Sequence, residues 1–275
     1  MEWYFITAIA VFGILVICLA LYIYAVAPGR RRAGMEKFKS LRYAHRGLHG
    51  EGIAENSISA FRAATDAGYA IELDVRLSKD GKLVVFHDNV LDRMTTESGR
   101  VDDKTADELS RLRLLGTEDC IPTFEEVLRL VDGKVPLLVE IKEFAGGCNT
   151  AQKTVEALKE YGGEFIIESF NPVALSYVRK NMPQVMRGFL SMDFLSEENH
   201  RGVRYSLLKN LLFNFLSRPD FIAYRYSDYK NVSLRFVRRF FGTPTLAWTV
   251  KSAEDEESAY LHGFDGVIFE QYIPK

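Results

Sequence analysis

The sequence predicts an α/β fold: a TIM-type (β/α)8 barrel with a small insertion lobe after its second strand, preceded by a single N-terminal transmembrane helix. Three observations lead there. Eight apolar, β-branched runs alternate with helical patterns from Leu41 onward, as parallel strands joined by crossover helices require. Short polar motifs close apolar runs, among them His45-Arg46-Gly47, Glu72-Leu73-Asp74 and His87-Asp88, and a parallel barrel builds its active site at the C-terminal ends of its strands. Ahead of these, Trp3 to Ala27 carries no charged residue, and about 20 apolar residues suffice to cross a bilayer as a helix.

The apolar segment 3–27 comes first. A cleaved secretory signal needs a basic stretch before its core. Here Glu2 precedes the run, and Pro28 directly follows Ala25-Val26-Ala27, which resembles a cleavage site. A retained anchor is the better reading, with Trp3, Tyr4, Tyr22 and Tyr24 at its ends, where spanning helices carry aromatic belts. Arg30, Arg31, Arg32, Lys37 and Lys39 make 28–40 a basic linker, and no basic residue precedes the span. This asymmetry places the following domain in the cytoplasm of a single-pass cell-membrane protein, with the linker against anionic head groups of the lipid bilayer. Residues 1–40 hold five basic and two acidic side chains, so the whole-chain charge of −2 leaves −5 for 41–275. Such a domain is a poor nucleic-acid binder. Cys18 falls in the span, and Cys120 and Cys148 form no spaced framework, so no structural disulfide is expected.

The length of 41–275 suits one barrel of about 250 residues. Its strands end near His45, Asp74, Glu140, Ser169, Leu190, Tyr224, Thr249 and Phe269. Helical segments are expected at 58–67, 124–131, 151–161, 173–181, 205–216, 234–241 and 253–261. A ninth run, Leu83 to Phe86, follows Val75 through the turn Lys79-Asp80-Gly81, too short a connection for a parallel crossover. It is read as an antiparallel ribbon that returns His87 to the barrel mouth. Residues 89–122 then form the insertion lobe, with a helix-like stretch from Thr105 to Leu114. The apolar stripe within 206–216 is a barrel-wall helix, or else a second membrane contact helped by Arg204, Lys209 and Arg218.

Glu72 and Asp74 are two residues apart and share one face of a strand, and Glu140 repeats the arrangement with Lys142 on its face. Carboxylates inside apolar strands are costly unless paired or bound to a cation. Three at one rim point to one hard divalent cation, Ca2+ or Mg2+. His45 and His87 are suited to deprotonate a nucleophile and protonate a leaving alcohol. Arg46 offers a rigid fork for phosphate oxygens, with Glu55 as a neighbour that can reach the site. Asn56-Ser57 reads as a helix cap before Ile58, and His49, His200 and His262 are left as surface or loop residues.

These residues, with Glu55-Asn56-Ser57, Leu91-Asp92-Arg93-Met94-Thr95, Ile121-Pro122-Thr123-Phe124, Glu140-Ile141-Lys142, Ser169-Phe170 and Trp248-Thr249, resemble in order the glycerophosphodiester phosphodiesterases. That family belongs to the phosphatidylinositol-phospholipase-C-like phosphodiesterases, and the likeness covers essentially all of 41–275. It implies a metal held by Glu72, Asp74 and Glu140, acid-base histidines at 45 and 87, phosphate contacts from Arg46 and Lys142, and a substrate wall of Phe170 and Trp248, for which core packing is the alternative. Ala54 and Ser57 depart from the family's usual proline and threonine, and Phe269-Glu270 stands where Thr-Asp is common, which leaves the final strand end without an assigned role.

The function expected is metal-dependent hydrolysis of a glycerophosphodiester to an alcohol and sn-glycerol 3-phosphate. A lysophospholipid substrate, cleaved in lysophospholipase-D fashion, is the alternative, favoured slightly by the apolar segment near Leu211. A non-catalytic membrane ligand sensor on the same barrel is the rival from another class. It would have no need of an acid-base pair with three carboxylates.

Overall fold

The computed structural model describes residues 2–29, 31–143, 147–197 and 201–274. Its strands are β1 (Arg42–Ala44), β2 (Ala70–Leu77), β3 (Leu83–Val85), β4 (Leu137–Ile141), β5 (Phe165–Ser169), β6 (Arg187–Ser191), β7 (Phe221–Arg225), β8 (Thr245–Val250) and β9 (Gly266–Phe269). Eight of them pair in parallel around a closed ring, because β1 pairs with both β2 and β9. β3 is the exception: it lies antiparallel on β2, with Val75 opposite Val85, and Phe86 N then bonds Asp74 O. The ribbon does return the chain to the barrel mouth.

The helices are α1 (Glu2–Val26), α2 (Ile58–Asp66), α3 (Ala106–Leu109), α4 (Phe124–Val131), α5 (Asn149–Lys159), α6 (Pro172–Asn181), α7 (Val203–Lys209), α8 (Asn214–Ser217), α9 (Val232–Phe241) and α10 (Ala253–Leu261). Most start where a side chain takes up a free backbone N–H. Thr123 and Glu126 form a reciprocal cap on α4, Asn171 precedes a proline at the start of α6, and Ser252 caps α10.

Two predicted helices are shorter than expected. Thr105 to Leu114 yields only α3, because Leu114 N bonds Asp119 O and Arg113 pairs with Cys120. Leu109, Leu114 and Ile121 pack with Leu91, Val84 and Phe86 into a separate core for the lobe. The stretch 205–216 divides into α7 and α8 around Leu211, whose φ is +58° and whose side chain is fully buried. Its stripe therefore packs on the barrel. Lys209 pairs with Asp193, and Arg218 donates to the carbonyls of Tyr24 and Ala27 at the end of α1.

The segment expected as a basic linker is built into the barrel's floor. Met35 and Phe38 are buried against Tyr43, Leu138, Ile166 and Phe221 inside the barrel, and the Tyr43 hydroxyl donates to Phe38 O. Arg31 lies 2.7 Å from Asp220 and Lys37 pairs with Glu164, which draws these cations to protein rather than to head groups. Arg30, the Arg32 side chain and His200 lie outside the described residues. The end of α1 is also anchored in protein: Val26 joins the main core, and Asn214 donates to its carbonyl at 2.9 Å. Trp3–Val26 is long and apolar enough to cross a membrane.

Candidate active site

His45 leaves β1 at the barrel mouth, where the chain turns sharply. Arg46 has φ +56° and Gly47 φ +81°, and a Cβ on Gly47 would sit 2.8 Å from the Ala60 carbonyl carbon. Glycine is required at that approach. The turn aims Arg46 N at Glu72 Oε2, 2.9 Å away, and lets the Arg46 guanidinium donate to Glu55 at 2.8 Å while lying 3.5 Å from Asp74.

Parallel register does the rest. Asp74 is opposite Glu140 and Glu140 is opposite Glu168, so three neighbouring strands bring four buried carboxylates to one rim. One oxygen each from Glu72, Asp74 and Glu140 lies within 4.8 Å of the other two. Just past β4, Lys142 reaches Glu140 at 2.7 Å and Asp74 at 3.0 Å. Burial pushes Glu72 well above the usual carboxylate range, and the charges of Asp74, Glu140 and Glu168 push it further. Burial raises Glu140 and Glu168 as well. Asp74 differs: burial opposes its charge, but Lys142, His87 and Arg46 outweigh that and hold it well below the ordinary value.

The donor set is carboxylate oxygen only, which suits Ca2+ or Mg2+. One ammonium and one guanidinium leave this acid cluster short of positive charge, and Glu168 Oε2 is buried without a hydrogen-bond partner among the described residues. The residues present therefore fit a divalent cation at Glu72, Asp74 and Glu140.

The two histidines are each held by a carboxylate. His45 Nδ1 is 2.6 Å from Glu270 Oε2, and its Nε2 is 3.9 Å from Glu72. Burial lowers the His45 pKa, with the Glu270 bond acting against it. His87 Nδ1 is 2.6 Å from Asp88, whose other oxygen accepts from Arg93 at 2.6 Å. Arg93 continues to Glu55, closing a chain of charges back to Arg46. Arg76 fixes the backbone here by donating to His87 O. Phe170 and Trp248 meet edge to face at 5.5 Å, half-buried over the barrel's inner layer, and Lys142 Nζ lies 6.0 Å from the Phe170 ring.

Four residues of this site escaped the sequence reading. Asn56 is not the cap of α2, since Ser57 Oγ accepts from Ala60 N. With φ +54°, Asn56 instead donates from Nδ2 to Asp74 Oδ2 at 2.8 Å and accepts from Asp74 N. Glu168 precedes Ser169-Phe170 and is a fourth carboxylate inside an apolar strand, on the third strand to carry one. Glu270, the departure from the family pattern, is His45's partner, and His49 lies 3.8 Å from the same carboxylate. His262 is exposed, as read.

Comparison with known proteins identifies the family to which the chain belongs. Residues 45–272 match the profile of the Glycerophosphoryl diester phosphodiesterase family. A glycerophosphodiester phosphodiesterase of Caldanaerobacter subterraneus subsp. tengcongensis is 35% identical over 246 residues, covering 84% of this chain and 93% of that protein. Among solved structures, an Oleispira antarctica phosphodiesterase in complex with the product sn-glycerol-3-phosphate superposes with TM-score 0.70 at 25% identity, covering 86% of this chain and 94% of the other. A Thermotoga maritima glycerophosphodiester phosphodiesterase gives TM-score 0.63 at 29% identity, covering 83% and 93%.

Proposed function

Because the chain belongs to the glycerophosphodiester phosphodiesterase family, we propose that it hydrolyses glycerophosphodiesters with His45 and His87 as proton carriers beside a divalent cation held by Glu72, Asp74 and Glu140. The observation that carries this reading is the convergence of three carboxylates and two carboxylate-paired imidazoles on one rim. When bound, the cation supplies Lewis-acid neutralisation of the phosphoryl charge. Arg46 and Lys142, the cations among these carboxylates, orient the phosphate and balance its negative charge.

His45 is the general base. Burial keeps its imidazole neutral, and with Nδ1 donating to Glu270, Nε2 is left to accept a proton. His87 is the general acid, its ring oriented by the Nδ1 contact with Asp88, a carboxylate that Arg93 also holds. His45 Nε2 takes the proton of the nucleophile as its oxygen bonds to phosphorus, the bond from phosphorus to the leaving oxygen breaks, and His87 protonates that oxygen as the alcohol departs. Phe170 and Trp248 form the wall against which the substrate lies.

We also infer that α1 is a retained membrane anchor with the barrel on its cytoplasmic side. Cleavage after Ala27 would remove Val26 from the core and the carbonyls that Arg218 and Asn214 hold, so the burial of that turn favours retention. The observation that favoured lysophospholipids is gone, because Leu211 is buried; soluble glycerophosphodiesters are the proposed substrates.

The test is release of sn-glycerol 3-phosphate from glycerophosphocholine by the full chain, its His45→Ala variant and its His87→Ala variant, with and without chelator. Loss of an acid-base group costs about 10²- to 10⁴-fold, and chelation should abolish turnover. Unchanged turnover in both variants would refute these roles.

A further inference from the structure

The outward face of α9 is both apolar and cationic. Val232, Phe236 and Phe240 recur every fourth residue with Arg235 and Arg239 beside them, one continuous stripe on a helix. Ser233, Leu234 and Val237 occupy the buried face. Val232 is 74% exposed and Phe240 70%, and a groove of about 1200 Å³ runs from them to Leu261, itself 78% exposed. Neither Arg235 nor Arg239 has an acidic partner among the described residues, and no acidic residue occurs between Asp228 and Glu254. A domain with excess acid thus presents one local basic surface, and that surface is greasy.

Its position identifies the occupant. The Tyr22 ring of α1 lies 5.4 Å from the Phe236 ring, its hydroxyl is 3.0 Å from Ser233 Oγ, and Phe236 is 4.7 Å from Phe240. The apolar span therefore leaves the barrel wall directly beside this stripe. Any bilayer that receives α1 has its surface next to α9.

We propose that the outer face of α9 is a second membrane-contact site, specific for anionic phospholipid head groups, with Val232, Phe236 and Phe240 in the acyl boundary and Arg235 and Arg239 on lipid phosphates. Long basic side chains flanking an apolar stripe are how interfacial helices bind, and the charge is complementary to an anionic leaflet. The inference rests on the reading of α1 as an anchor. It adds a lipid contact on the α9 wall to the protein contacts that already hold the end of α1 against the barrel.

The test uses the full chain in nanodiscs of phosphatidylcholine and phosphatidylglycerol at 7:3, with Cys18, Cys120 and Cys148 replaced by serine. A fluorophore is placed singly at Ile9→Cys, Val232→Cys, Phe240→Cys or, on the opposite wall, Glu125→Cys, and quenched by nitroxide-labelled lipid. Quenching is expected at positions 9, 232 and 240 but not at 125. At 232 and 240 it should fall at least twofold in pure phosphatidylcholine or with Arg235→Glu plus Arg239→Glu, while turnover of a soluble substrate confirms folding. Quenching at 9 without quenching at 232 and 240 overturns the α9 site and leaves the anchor intact, including the case where these positions are covered by a second copy of the chain. Absence of quenching at position 9 overturns the anchor, and the α9 site with it.

Discussion

Glu270 Oε2 sits 2.6 Å from His45 Nδ1, and the opposite oxygen of the same carboxylate is 2.8 Å from Lys251 Nζ. The pairing follows from barrel closure: Ala44 is in register with Phe269, and His45 N bonds Phe269 O, so the residues one step beyond each strand meet. Burial works against the Glu270 charge, yet His45, His49 and Lys251 hold its carboxyl far below the usual range. His45 is thereby given one orientation and one protonated nitrogen.

Glu270→Gln should lower kcat about tenfold or more, with little change in KM, since it removes orientation of a base whose whole contribution is about 10²- to 10⁴-fold. Glu270 raises the His45 pKa against the larger effect of burial. Removing that charge lowers the pKa further, so the acidic limb of kcat/KM should move to lower pH. A pH-rate profile of the variant checks this; a uniform loss at every pH would indicate damage to the fold instead.

The barrel was legible because its signals are periodic: eight runs, short turns and capping residues all agree. Glu72, Asp74 and Glu140 stood out as charges within apolar strands. Asn56 did not, because an asparagine before a serine and an apolar run reads as a cap, and only the turn at Arg46-Gly47 brings it to Asp74 18 residues later. Glu270 was hidden by distance along the chain, 225 residues from His45. Met35 and Phe38 were masked by the cations around them, since local charge says nothing of a barrel floor.

Cation binding should strengthen with pH. Folded Glu72 and Glu140 have raised pKa values, so they hold protons that the unfolded chain has released, and stability from these groups falls as pH climbs through their folded values. A cation competes for the same oxygens. The rise in Tm on adding Ca2+ or Mg2+ should therefore be larger at pH 8 than at pH 5, the stabilisation behind it reaching about 2.7 kcal/mol at a concentration of 100 Kd. Thermal melts with cation and with chelator at both pH values measure it, and equal shifts would remove these carboxylates from the binding site.

Asn56 and Ser57 should separate by phenotype although they are adjacent. Ser57→Ala removes the cap of α2 and should cost about 1 kcal/mol with cation affinity unchanged. Asn56→Gly keeps the left-handed backbone and loses the bond to Asp74, so it should weaken cation affinity about 10- to 100-fold, as loss of a partner that orients a ligand does. Isothermal titration and denaturant unfolding on both variants decide between these effects.

The floor of the barrel makes the last prediction. Phe38 is 4% exposed and Met35 fully buried among side chains of β1, β4, β5 and β7, so removing them opens the barrel interior from below. Phe38→Ala should cost about 3–5 kcal/mol through lost burial and the cavity left behind. Each kcal/mol corresponds to a fall in Tm of roughly 2–4 °C in a domain of this size. A truncation retaining only 41–275 loses both side chains together with the Arg31–Asp220 pair and should be less stable than Phe38→Ala. A truncation beginning at residue 28 keeps the floor, loses Val26 and should fall between the full chain and the shorter form. Melting the full chain, Phe38→Ala and the two truncations in one detergent gives the order directly; if 41–275 melts with the full chain, segment 28–40 is a tether after all.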